Sequence, residues 1–432
     1  METSSEATES LRDDPLGLPG FDDLEVSPSG AVAIDRRRRA RPRARTRARL
    51  SVAARQELLW IAVIYLGARI VLLLAAYLQS RLGHAPFQNE LSNWDGFWYR
   101  ELANKGYPSH VSYAQTTLGF FPLFSLAIWP VEHVVLLLAP NHLILSASIA
   151  GVIISGVGGL ICTILVHRLA DGWFDRETAR RATILFVLFP GAVVFSMVYS
   201  EGILLPLAAG CIYALERRRW LLAGILAGFG TAVQPVGLVL VPVCLVSAAL
   251  EIHRSGWRSP SARRSLVAPL LSVTGMGAFM LFLWRWTGSP LATYIAQHHG
   301  WSEHTSVLSL WHLAQKLASE ISFSHFNHPT INLNYVVGLI GAVLLTIMLV
   351  LVWFRRRNIS IEALTWTAAI SFLAFTSSEV PPNPRMLITA FPALVAVAYY
   401  ARGKWFRILA WCNGGLLVGL SLLTFFGLTL RP

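Results

Sequence analysis

Leu58-Leu-Trp-Ile-Ala-Val-Ile-Tyr-Leu-Gly-Ala-Arg-Ile-Val-Leu-Leu-Leu-Ala-Ala-Tyr-Leu78 decides the fold class. It is about 20 residues of almost unbroken apolar sequence, the length a helix needs to cross a bilayer. A largely polar stretch of more than 50 residues precedes it, so it reads as a membrane anchor and not as a cleaved signal. Just before it, nine arginines crowd between Arg36 and Arg49. Lys and Arg beside membrane spans stay on the cytoplasmic side, so the N-terminus is expected in the cytoplasm and the segment after Leu78 outside.

The whole composition agrees with that stretch. Of 432 residues, 54% are hydrophobic and 14% charged, and mean hydropathy is +0.52; a soluble domain carries about 25% charged residues. The net charge of +12 invites a nucleic-acid reading, but the arginine block supplies most of it, so no nucleic-acid partner is expected. Residues 1 to 35 hold nine acids against one base, with much Ser, Gly and Pro, and cannot bury enough apolar surface to offset their ordering entropy. Residues 1–54 therefore read as a disordered acidic, then Arg-rich, cytoplasmic tail, and 55–430 as the membrane domain. Cys162, Cys211, Cys244 and Cys412 all lie in apolar runs without pairing or metal spacing and look like small buried hydrophobes.

Five further basic clusters separate apolar runs: Arg168 to Arg181, Glu216 to Arg219, Arg254 to Arg264, Phe354 to Arg357 and Arg402 to Arg407. Placing all five in the cytoplasm predicts eleven crossings: 56–78, 144–166, 182–200, 202–216, 220–233, 236–250, 265–285, 333–354, 360–377, 386–400 and 406–428. Parity then excludes Gly119 to Leu138, broken by Pro122 and Pro130, as a simple crossing; it is expected to lie in the outer interface or to re-enter. Spans broken by Pro190, Pro206, Pro235 and Pro242 imply an outward cavity, because freed backbone is tolerated at membrane depth only inside protein or along a cavity. Two long outer loops, 79–143 and 286–332, carry amphipathic spacing such as Trp94, Phe97, Trp98 and Trp311, Ala314, Leu317, Ala318. The chain shows no internal repeat.

Beyond residue 35 the aspartates are Asp95, Asp171 and Asp175, and only Asp95 falls on the outer side. It sits in Asn93-Trp-Asp-Gly-Phe-Trp-Tyr99, where Asp95 and Tyr99 share a helix face at i and i+4. Trp94, Phe97 and Trp98 form an adjoining face suited to the headgroup region. Two readings fit: a capping box with Ser92 as N-cap and Asp95 at N3, or a general base in an aromatic cleft that raises its pKa.

The run Asn93 to Tyr99, followed by Gly106-Tyr107, Phe120-Phe-Pro-Leu-Phe124, Tyr199-Ser-Glu201, Gly288-Ser-Pro-Leu291 with Ala296-Gln297, Asn383-Pro-Arg385 and Phe391-Pro392, resembles the PIG-V family over roughly residues 56 to 428. That is the family of the second mannosyltransferase of GPI-anchor synthesis and its actinobacterial relatives. The resemblance implies a GT-C glycosyltransferase, an all-α bundle with about eleven transmembrane helices and interfacial helices in both outer loops. It implies a polyprenyl-phosphate sugar donor, a lipid or glycan acceptor, inversion, and Asp95 as catalytic base. The outer side carries no Asp-x-Asp motif, so neither metal nor other cofactor is expected. The family often has arginine before proline where this chain reads Gln234-Pro235.

Arg385 follows the Pro381-Pro-Asn-Pro384 turn at the outer start of a span; it reads as a bidentate phosphate clamp or as a snorkelling interfacial residue. Glu201, beside Tyr199, reads as a ligand of sugar hydroxyls or as an N-terminal helix charge. His298, His299 and His304, near Glu303, read as a weak metal site, as phosphate contacts or, the better reading without the spacing of a closed ligand set, as a solvated loop helix, with His299 and Glu303 a candidate i, i+4 pair. Together Trp94, Tyr99, Tyr199, Glu201, Gln234, His298, His299 and Arg385 make the expected substrate-binding set around Asp95. A plasma-membrane location with an outer active site is expected. A transporter or lipid flippase is the rival, but polar residues gather at one surface and no halves correspond; the same fold with another donor sugar is the other alternative.

Overall fold

The computed structural model describes residues 40–84, 86–138, 143–321 and 332–425. The acidic tail read over 1–35 lies outside the described residues, as do parts of both long loops. The chain divides into two units, 1–55 and 56–432. Of the first unit the described backbone is the helical stretch opening α1 (Ala40–Leu82) at Ala40.

In the second unit helices dominate, and the Thr305–Ser377 bridge is the sole β pairing among the described residues. The first long loop folds into α2 (Phe87–Leu91), α3 (Asp95–Lys105) and α4 (Pro122–Leu138). The chain continues through α5 (Leu143–Trp173), α6 (Arg176–Leu188), α7 (Glu201–Glu216), α8 (Trp220–Thr231) and α9 (Leu240–Ser255). One apolar stretch is divided into α10 (Pro260–Ser265), α11 (Val267–Ser272) and α12 (Thr274–Thr287). The second long loop holds α13 (Ala292–Gly300) and α14 (Ser309–Ile321). Then come α15 (Leu333–Arg355), α16 (Ile361–Thr376), α17 (Pro384–Thr389), α18 (Phe391–Tyr400) and α19 (Gly403–Phe425).

Each of the eleven expected spans contains helix, and the molecule is a multi-pass membrane protein. Among the described residues six helical runs are long and apolar enough to cross a membrane, seven if α6 and the 3-10 turn Pro190–Ser196 count as one span bent by 70°. Helices α8, α16 and α18, of 12, 16 and 10 residues, reach only about 15–24 Å at 1.5 Å per residue, less than a 30 Å hydrocarbon core. Helix length alone therefore does not establish eleven crossings. The proline-broken stretch at 119–138 became α4, which packs along α5 and α3 with Pro130 inside it.

The break after α6 has a specific partner. Pro190 cannot continue the helix, and the terminal carbonyls it leaves behind need donors. Arg69 of α1, 5% exposed, donates to Val187 O at 3.0 Å and to Ala192 O. A guanidinium inside the first apolar run is thereby tied through both terminal nitrogens to the backbone of another broken span, its Nε left without a partner.

The basic clusters gather at one end of the bundle. Trp173 Nε1 donates to Glu216 at 2.7 Å, Arg218 pairs with Glu251 at 3.4 Å, and Arg355 and Arg402 both lie over the Tyr399 ring. Helix α7 runs from that end, at Glu216, to the opposite one, at Glu201. It crosses α5 where Gly158 meets Gly202; a β-carbon on Gly158 would collide with the Gly202 carbonyl. This close approach sets the height of Glu201 against α5. Three of the four cysteines are buried as expected, but Cys412 is exposed, facing outward from α19.

Candidate active site

Asp95 opens α3 as its first residue, not its third. The N-cap is Trp94, at φ 59 and ψ −120, with no side-chain capping bond; this region is costly for a residue with a side chain. Ser92 is instead the C-cap of α2, donating to Gln88 O at 2.5 Å and accepting from Arg100 Nη1 at 2.9 Å. The capping box is not formed. The Asp95 carboxylate is left for a partner far along the chain.

That partner is Arg385. Asn383 caps α17 by accepting from the Met386 amide at 3.0 Å, and Pro384 occupies N1, where its missing N–H costs nothing. The Pro381–Pro384 turn is clasped between two glycines: a β-carbon on Gly191 would collide with Pro384 O, and one on Gly341 with Pro382 O. Held there, Arg385 donates from Nη1 to Asp95 Oδ2 at 2.5 Å and from Nε to Glu201 Oε1 at 2.7 Å. Its guanidinium also lies 5.1 Å from the centre of the Tyr199 ring. Its side chain is 19% exposed, so it is an internal bridge and not a snorkelling anchor.

Glu201 is the buried member, 2% exposed, in the first turn of α7, where the helix dipole favours a carboxylate. Its Oε1 also accepts from Gln234 Nε2 at 3.3 Å, while the buried Oε2 has no hydrogen-bond partner. From Gln234 the chain of bonds returns to α3: Ser200 Oγ donates to Gln234 Oε1 at 2.8 Å, and Tyr99 OH donates to Ser200 Oγ at 2.8 Å. Ser125 Oγ donates to Tyr99 O at 2.8 Å. Burial, reinforced by the nearby Asp95 charge, pushes the Tyr99 hydroxyl well above the usual tyrosine range, so it remains a neutral donor. The result is a circuit of side-chain bonds from Asp95 through Arg385, Glu201, Gln234 and Ser200 to Tyr99, with α3 itself joining its two ends. It holds two carboxylates against one guanidinium.

Of the expected set, Asp95, Tyr99, Tyr199, Glu201, Gln234 and Arg385 are brought together. Trp94 is placed beside them as the N-cap of α3. His298 and His299 stand apart on α13, their contacts aromatic, with each other and with Tyr294 and Tyr113. The His299–Glu303 pair is not made: α13 ends at Gly300, and Glu303 turns to accept from Ser377 Oγ at 2.9 Å. Among the described residues no three His, Cys, Asp or Glu side chains converge as a metal site requires. The two long loops interlock above the circuit. Gln297 donates to Gly119 O at 2.6 Å, and Trp301 meets Trp98 and Phe120 edge to face. Sequence reasoning missed Ser125 and Ser200 as links, although Ser200 lies inside the quoted Tyr-Ser-Glu motif, and gave Arg69 no role.

The profile of the mannosyltransferase (PIG-V) family matches residues 73–299, just over half of the chain. The chain belongs to the mannosyltransferase (PIG-V) family. The matched segment contains Asp95, Tyr99, Ser200, Glu201 and Gln234, and Arg385 lies beyond it. No curated protein matches this PIG-V member by sequence. Among solved structures it is similar to the oligosaccharyltransferase of Archaeoglobus fulgidus tethered with an acceptor peptide, at 12% identity and TM-score 0.45, covering 86% of this chain and 55% of that one. It is also similar to ArnT from Cupriavidus metallidurans, in the apo state at 14% identity and TM-score 0.46, and bound to undecaprenyl phosphate at 16% and 0.45. Each ArnT match covers 84% of this chain and 62% of the other. The chain thus spans less than two thirds of these proteins' length.

Proposed function

We propose that this PIG-V family member is a GT-C mannosyltransferase. It moves mannose, or a related hexose, from a polyprenyl-phosphate carrier to a lipid or glycan acceptor at the outer face of the plasma membrane, with inversion and without a metal. The observation that carries the reading is the Asp95–Arg385–Glu201 bridge, in which a partly exposed carboxylate and the one guanidinium of the circuit meet at 2.5 Å.

Phosphate is already a good leaving group, so the protein has to supply a base, a counter-charge and alignment. Arg385 supplies the counter-charge. In the free protein it is shared by two carboxylates, so an incoming phosphate takes the place of Asp95 at Nη1 while Glu201 keeps hold of Nε. The carboxylate so released, 32% exposed, accepts the proton of the acceptor hydroxyl. The acceptor oxygen bonds to the anomeric carbon as the bond from that carbon to the phosphate oxygen breaks, the electron pair leaving with the lipid phosphate. Glu201 Oε2, buried and unpartnered, accepts from a sugar hydroxyl. Gln234, Ser200 and Tyr99 keep Glu201 and α3 in register.

The test is incubation of the purified chain in lipid with labelled polyprenyl-phosphate sugars and candidate acceptors. Transfer from the mannose carrier is expected; transfer from a different sugar carrier alone revises the donor, and no transfer from any carrier overturns the reading. For orientation, cysteine introduced beside Arg218 is expected to react only with a permeant reagent, and one beside His299 with an impermeant reagent too.

A further inference from the structure

A groove of about 660 Å³ runs between α4, α5, α7 and α8, and every side chain along it is apolar except Tyr213 and Arg219. Gly158 on α5 and Gly202, Pro206 and Gly210 on α7 are among its lining residues, so little side-chain bulk fills the channel, which is open to the side. From Gly202 to Ala214 it follows α7 for about 18 Å at 1.5 Å per residue, close to the roughly 15 Å depth of one leaflet. Unfilled apolar walls forfeit dispersion contacts. In a bilayer the available filler is a hydrocarbon chain.

Charge decides which lipid it is and which way it points. Arg219, at the basic end, is the charged residue that lines the groove, and its side chain has no ion-pair partner among the described residues. Its neighbours are engaged, Arg217 over the Tyr213 ring at 3.5 Å and Arg218 with Glu251. At the other end Gly202 adjoins Glu201, a carboxylate, and the nearby guanidinium is already shared. We infer that the groove is a binding site for an anionic glycerophospholipid of the host bilayer, one acyl chain lying along α7 and the phosphate at Arg219. A basic pocket between membrane helices suits such a headgroup. This site is separate from the transfer chemistry and does not depend on it.

The experiment is native mass spectrometry of the full chain extracted from bilayers holding equal phosphatidylglycerol and phosphatidylcholine. One phosphatidylglycerol per chain is expected to be retained in preference. Arg219→Glu, an exposed change, is expected to lower that retention about fivefold or more, and Leu207→Trp, which fills the channel, to lower it for both lipids. Thermal unfolding in detergent checks that both variants are folded, and Arg219→Ala, expected to show an intermediate loss, serves should Arg219→Glu fail that check. Equal retention of the two lipids, or retention indifferent to Arg219, overturns the inference. So does displacement of the lipid by added polyprenyl phosphate whose own retention ignores Arg219→Glu, since its head then lies at the Glu201 end.

Discussion

At one end of the bundle a single carboxylate serves two arginines; at the other a single arginine serves two carboxylates. Glu57, 12% exposed, pairs with Arg176 and Arg180, both about half exposed, and lies 3.7 Å from His167. Arg385 pairs with Asp95 and the buried Glu201. The first arrangement leaves surplus cations in contact with solvent, where screening makes each pair worth little. The second leaves surplus carboxylate oxygens in a partly enclosed site, one of them unpartnered. Both Glu57 oxygens find an arginine. Glu201 keeps one oxygen without a partner.

If that distinction holds, substitutions at the two ends should separate activity from stability. Asp95→Asn has the largest expected effect: sugar transfer falls by about 10²–10⁴-fold, the scale of general-base loss. Thermal stability shifts by about 1 kcal/mol or less, because asparagine still accepts from Arg385. A near wild-type transfer rate would move the base elsewhere, with Glu201 next to test. Arg385→Ala removes the charge that both carboxylates share, one of them buried. It is expected to destabilise by about 2–3 kcal/mol while raising the donor KM, whereas Arg385→Lys keeps the charge without the planar fork and restores stability more than donor binding. Donor titrations of both variants alongside thermal melts distinguish this from a purely structural arginine, which predicts that lysine restores the two in parallel.

The joint at the other end should behave differently. Glu57→Gln is expected to cost about 1 kcal/mol of stability with the transfer rate unchanged at saturating donor; a loss of transfer there would erase the contrast. Smallest is Glu101→Gln. Glu101 lies on α3 but bonds Lys105 at 2.6 Å and takes no part in the circuit. A loss of about 0.3–0.5 kcal/mol, and no kinetic change, is expected from an i, i+4 pair whose lysine is exposed.

Much of this was legible before the structure. Apolar run length located the helices, and the scarcity of aspartate singled out Asp95. What local patterning does not carry is partnership. Arg385 finds Asp95 across 290 residues and Glu201 across 184, and no periodicity encodes such a meeting. The capping reading of Ser92 failed for a related reason: the spacing Ser-x-x-Asp is correct, but Ser92 is already used to end α2 and to hold Arg100. His299 and Glu303 likewise had helical spacing, yet the chain leaves the helix at Gly300, with Ser302 at φ 55 between them. Arg69 was invisible because its partners are backbone carbonyls of another broken span.

The long reach of Arg385 also sets an order of events during synthesis. The ribosome delivers Asp95 and Glu201 first, and the arginine that neutralises them follows Glu201 by 184 residues, roughly 10–40 s at about 5–20 residues per second. Through that interval the nascent chain holds two carboxylates at the membrane surface with no bridge between them. The bridge therefore closes only when the Pro381–Pro384 turn threads between Gly191 and Gly341, so the charge balance of this cluster waits on a segment made long after both carboxylates.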